Sequence, residues 1–181
     1  MRPRVALSRA LGSRRICSDF AVEPGIVSPM QTVPSHIGRP EYASNGRPHS
    51  ASYGQVFTYA GAELEKMRSS AKLAREMLEF SCSLVKPGIS TDEIDRRTFE
   101  EIIKKGAYPS PINYAGFPKA ICTSVNEVCC HGIPDSRELR EGDVIAIDVS
   151  IFKDGVHGDN CKTVIAGEGD EAAHRLINAT E

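Results

Sequence analysis

Residues Asp143–Ala166 read DVIAIDVSIFKDGVHGDNCKTVIA: two strand-like runs about a KDG turn, and their pairing decides the fold. Ile145, Ala146, Ile147, Val149 and Ile151 give the first run the look of a buried strand, yet Asp148 stands in its middle. Asp is depleted in strands, and an ionised carboxylate out of water needs a partner or a metal. Asp154-Gly155 is a favoured two-residue type I′ loop, because glycine takes positive φ without strain. That loop pairs Lys153 with Val156, Ser150 with Asp159 and Asp148 with Cys161. Asp148, Ser150 and Asp159 then share one face, with the two aspartates as diagonal cross-strand neighbours about 7–8 Å apart at Cα. Two carboxylates so placed can each hold one metal ion, or bridge two ions roughly 3.5–4 Å apart. Two hairpin aspartates facing water are the competing reading of the same spacing. A three-residue loop, or a bulge near Gly158, would separate the pair.

Outward from the hairpin, the chain alternates helical and strand-like patterns. Leu64, Met67, Ala71, Ala74 and Leu78 recur at steps of three or four among charged residues, and Val85 follows two such steps later, predicting an amphipathic helix of about 20 residues ended by Lys86-Pro87-Gly88. Ser90–Glu93 (STDE) has capping-box spacing and opens a second helix through Ile94, Phe99, Ile102 and Ile103, closed by Gly106. Short β-like runs follow at Ala120–Val125, Val144–Phe152 and Val156–Ile165, and Ala172, Ala173, Leu176 and Ile177 begin another helix. The class is α+β, helices on a mostly antiparallel sheet.

The chain has 181 residues, 40% hydrophobic and 25% charged, which places it in the globular class. A net charge of −2 gives no reason to expect nucleic acid as a partner, and no apolar run approaches the roughly 18 residues of a membrane span. Six cysteines without a CxxC pair read more simply as reduced thiols than as a disulfide framework. Residues 1–18 (MRPRVALSRALGSRRICS) carry five arginines and no acid, the composition of an organellar transit peptide, with a basic tail of no targeting role as the alternative. Residues 19–55, rich in Pro, Gly and Ser, read as an arm or linker, so that the folded part spans 56–181.

Tyr108–Pro134 (YPSPINYAGFPKAICTSVNEVCCHGIP) and Leu139–Asn160 (LREGDVIAIDVSIFKDGVHGDN) resemble type I methionine aminopeptidases, particularly the organellar forms. FPKAICTSVNEVCCHGIPD is the specific part, and it argues against a proline-specific peptidase of the wider superfamily. The resemblance implies half of a pita-bread fold and a metallo-aminopeptidase that removes the initiator methionine from nascent polypeptides when the next residue is small. It implies two divalent metal ions (Co, Mn, Zn or Fe) held in part by Asp148 and Asp159, and His131 as a catalytic residue that contacts substrate. It further implies Tyr114, Phe117 and Cys122 as the walls of the methionine side-chain pocket. Mitochondrial import follows from the leader, cytoplasm being the alternative, and a place near the ribosome follows from the substrate. From the residues alone, His131 reads first as an ordinary hydrogen-bonded loop or strand-end histidine, and His157 as a hairpin-orienting one.

Three departures stand beside the resemblance. The family's remaining ligands, one His and two Glu, belong to a second half of the fold, so the sequence reads as truncated and the 181-residue chain as inactive alone. Asn160 and Cys161 replace a usual Thr and Ser beside Asp159, and Ser150 replaces a common Thr. A second hypothesis is therefore a non-catalytic fragment that binds a partner or peptide N-termini.

Overall fold

The computed structural model describes residues 21–48 and 58–181; the basic leader lies outside them. Three helices and four strands follow in chain order: α1 (Gly61–Ser83), α2 (Thr91–Lys104), β1 (Tyr108–Pro109), β2 (Cys122–Val125), β3 (Val144–Lys153), β4 (Val156–Ile165) and α3 (Glu171–Thr180). All strand pairings are antiparallel. The α+β arrangement therefore stands.

β3 is the axis of the sheet. β1 and β2 pair with successive parts of one edge, and β4 pairs along the whole of the other. The period-2 alternation of β3 sorts its side chains onto two unlike faces. Ile145, Ile147, Val149 and Ile151 are fully buried beneath the helices, while Ala146, Asp148, Ser150 and Phe152 are only half-buried on the opposite face. The apparently uninterrupted buried strand is thus buried on one face, and Asp148 lies on the other.

The predicted helices form, with adjusted stripes. In α1 the buried residues are Ser70, Ala74, Met77, Leu78 and Ser81. Ala71 is exposed, and Leu64 and Met67 are half-buried, so the buried face is rotated from the stripe the apolar residues suggested. Small polar residues complete it because Ser81 Oγ bonds the Met77 carbonyl and lies 2.9 Å from Thr98 Oγ1 on α2. The cap of α2 is half a capping box. Glu93 N–H donates to Ser90 Oγ at 3.1 Å, while the Glu93 carboxylate turns outward to Arg96.

The segment 21–48 has one 3₁₀ turn (Glu41–Ser44) and no other helix or strand among its residues. It is nonetheless fastened down: Val33, Ile37 and Tyr42 enter the same core cluster as the α1, α2 and β3 residues. Its backbone bonds the body at Gly25 N–H to Asp135 Oδ2 (2.7 Å) and Ile26 N–H to Ser136 Oγ (2.8 Å).

α1 crosses β4 at Gly158, where an added Cβ would lie 2.3 Å from the Ser70 carbonyl oxygen. Backbone against backbone leaves no flexible side chain to yield. Gly158→Ala is expected to destabilise the fold by about 1–3 kcal/mol, as overpacking does. Urea unfolding of the two proteins measures it, and an unchanged midpoint would remove this crossing as a constraint.

Candidate active site

The hairpin turn positions the site. Asp154 and Gly155 have φ of 53° and 88°, the left-handed pair of a type I′ loop. Lys153 pairs with Val156, Ser150 with Asp159 and Asp148 with Cys161, as the two-residue loop requires. Cys122 of β2 pairs with Asp148 from the other side, so Cys122, Asp148 and Cys161 form one row across the sheet. Asp148 and Asp159 face the same side and open into a cleft of about 770 Å³.

All six sequence-predicted residues line this cleft: Tyr114, Phe117, Cys122, His131, Asp148 and Asp159. Tyr114 and Phe117 come from the 3₁₀ turn Tyr114–Gly116 and its end, after Pro111. His131 has φ of 52°, and the next residue pins it. Gly132 accepts from Thr123 N–H at 2.8 Å and donates to Ser124 Oγ at 3.2 Å. A Cβ on Gly132 would lie 2.1 Å from the Thr123 carbonyl oxygen, so only glycine lets the histidine loop lie this close to β2.

Electrostatics divide the cleft. Burial lifts the Asp148 carboxyl to about 6, helped by the charge of Asp159 and a hydrogen bond between the two carboxyls, with His131 opposing. Like-charged carboxyls in one site resist joint ionisation, which a cation would relieve. Burial, then Asp148 and Asp159, push the Cys122 thiol up to about 12, so it stays a neutral, soft wall. The same causes raise the Cys161 thiol, and Cys161 is exposed and outside the cleft lining. Two carboxylates suit a hard divalent cation, but among the described residues no group of three or more His, Cys, Asp or Glu is placed to hold a metal. The residues present fit part of a metal site.

Beyond those six, Ser110, His157 and Tyr42 also line the cleft. Ser110 Oγ lies 2.9 Å from His157 Nδ1, and both line the cleft. The place of His157 was legible in the register, since it shares the face of Asp159. Tyr42 comes from the arm, where no period or motif marked it. The exposed Cys129 and Cys130 lie outside the lining.

The approach to Cys122 is held from behind by buried charge. The Lys119 ammonium, 1% exposed, donates to Asp92 and to Ser28 Oγ of the arm. Asp95 accepts from the N–H groups of Ala120 (2.7 Å) and Ile121 (3.1 Å). Burial lifts the Asp95 carboxyl to about 6, against those two bonds and the nearby Lys119. The folded state therefore keeps a proton that the unfolded chain releases near 3.8. The contribution to stability is full below pH 3.8 and is lost as pH rises through about 6. Asp95→Asn keeps the acceptor oxygen and removes the proton. Between pH 4.5 and 7, the variant's stability relative to the native chain should rise by roughly 1–3 kcal/mol in urea titrations. A difference independent of pH would show that Asp95 is ionised throughout.

Comparison with known proteins places this geometry. Residues 65–181 match the model of metallopeptidase family M24. The chain is 48% identical over 165 residues to a mitochondrial methionine aminopeptidase 1D of Dictyostelium discoideum, covering 90% of this chain and 41% of that protein. It is 49% identical over 158 residues to a chloroplastic methionine aminopeptidase 1B of Arabidopsis thaliana, covering 87% and 42%. Its structure overlays that of a Rickettsia prowazekii methionine aminopeptidase with a TM-score of 0.68 and 39% identity, covering 70% of this chain and 51% of that one. The chain thus spans less than half the length of the two curated relatives.

Proposed function

Because the chain belongs to metallopeptidase family M24, we propose that its cleft is part of the active site of a methionine aminopeptidase, acting on nascent polypeptides that begin with Met followed by a small residue. One observation carries the reading: Asp148, Asp159, His131, Tyr114, Phe117 and Cys122, drawn from β2, β3, β4 and two loops, converge on one cleft. Likeness to organellar methionine aminopeptidases supports it.

In this reading Asp148 and Asp159 hold part of a pair of divalent ions (Co, Mn, Zn or Fe). Such ions supply a hydroxide near neutral pH and polarise a carbonyl. The chain's own groups do the rest. Tyr114, Phe117 and neutral Cys122 receive a thioether side chain by apolar and sulfur–aromatic contact. His131 donates a hydrogen bond to the oxygen on which charge accumulates, and the close Gly132–Thr123 contact holds its loop in place. The full reaction needs ligands beyond the two carboxylates, since no larger group of ligating residues is assembled among those described.

Titration of Mn²⁺ into the chain, followed by calorimetry, tests the metal assignment. Weak binding is expected, strengthening as pH rises past 6 and Asp148 gives up its proton. Asp148→Asn and Asp159→Asn should each weaken it by roughly tenfold or more. Binding that neither variant changes would place the metal elsewhere.

The same relatives, mitochondrial or chloroplastic by name, support a reading of the arginine-rich residues 1–18 as a mitochondrial address. A substrate of this kind would be met close to the ribosome. Residues 1–60 fused to a fluorescent protein should enter mitochondria, and residues 19–60 should not. Equal distribution of the two fusions would leave the leader as a basic tail.

A further inference from the structure

We propose that Tyr42, carried by the arm ahead of α1, is a positioning residue of the cleft: it fixes the Tyr114 ring and the His157 imidazole and thereby sets the apolar wall. The proposal rests on the methionine-pocket reading only for what that wall receives.

Tyr42 is 7% exposed and touches the cleft in three ways. Its phenol donates to the Ser110 carbonyl at 2.7 Å. Its ring meets Tyr114 edge-on, with centroids 5.0 Å apart and planes at 81°. It also lies nearly parallel to His157, at 6.3 Å and 16°. Ser110 in turn holds His157 Nδ1 at 2.9 Å, so one arm residue governs both ends of a short chain of contacts.

The loop that carries Tyr114 needs such support. Asn113 and Ala115 have φ of 59° and 49°, left-handed values that non-glycine residues keep only where the surroundings over-determine them. Part of that constraint comes from the same arm: Asn113 Nδ2 donates to the Ala43 carbonyl at 3.0 Å. Gly46 comes so close that a Cβ there would lie 3.2 Å from Asn113 Oδ1. Tyr114 itself is 50% exposed, so burial does not hold its ring. The edge contact with Tyr42 does. A wall residue free to swing recognises poorly, because binding must first order it; a ring already locked is preorganised.

NMR of the 181-residue chain tests this, with methionine and alanine as probe ligands. The native chain should show a ring-to-ring contact between Tyr42 and Tyr114. Tyr42→Leu should move the Tyr114 ring and His157 imidazole resonances while leaving His174 on α3 in place, and Tyr42→Phe should keep the ring contact. Methionine affinity should fall about 2- to 10-fold in Tyr42→Leu, the scale of one aromatic pair, and hold in Tyr42→Phe. Absence of the native ring contact overturns the proposal, as do unmoved Tyr114 and His157 signals in a folded Tyr42→Leu. If the rings respond but the native chain does not prefer methionine to alanine, the positioning role stands and the methionine reading falls. Should Tyr42→Leu not fold, the native ring contact decides.

Discussion

A two-residue turn at Asp154–Gly155 fixes β4 against β3, and the site depends on that register more than on any single contact. Side chains alternate faces with a period of two, so a slip of one residue would turn Asp159 toward the face that α1 covers. Several independent features oppose the slip. Both turn residues already hold the left-handed backbone that the tight loop demands. Gly158 must meet the Ser70 backbone, where any side chain would collide. Ile145, Ile147, Val149 and Ile151 must all stay on the covered face. The local turn, the helix crossing and the core agree on one answer, which is what lets two carboxyls be held together on the open face despite their repulsion.

The remaining walls of the cleft are held by buried polar contacts. Lys119 is buried and is kept by Asp92 and Ser28, one from α2 and one from the arm. Removing Asp92 would leave that buried charge uncompensated, a far larger penalty than loss of a surface ion pair. Asp95 closes two backbone donors at the entry to β2, and Gln31 of the arm reaches its other oxygen at 3.2 Å. The arm is thus part of the structure that supports Cys122 and Tyr114, through hydrogen bonds as much as through apolar burial.

That difference explains what could be read from the residues. The hairpin was legible because its signal is local: a favoured turn, alternation, and one carboxylate out of place at Asp148. The α2 start was legible for the same reason, through Ser90. The stripe on α1 was misjudged at Ala71 because tertiary contacts select Ser70 and Ser81, whose hydroxyls find partners that periodicity cannot foresee. Tyr42 was invisible. It lies in a segment with no period, and its partners Ser110, Tyr114 and His157 are 68 or more residues away, joined only by the folded sheet. His131, Tyr114, Phe117 and Cys122 came from resemblance to a family; spacing alone did not assign them.

The cleft joins two chemistries at Cys122. On one side stand oxygen donors suited to a hard cation, on the other aromatic rings suited to a soft side chain. A cysteine between them could serve either, and its protonation decides which. The largest cause of its raised pKa is burial, followed by the charges of Asp148 and Asp159. Cys122 is therefore held to the apolar side of the site by its depth in the sheet. Cys161, in the same row and under the same two charges, is exposed; solvent access rather than residue type separates the two thiols.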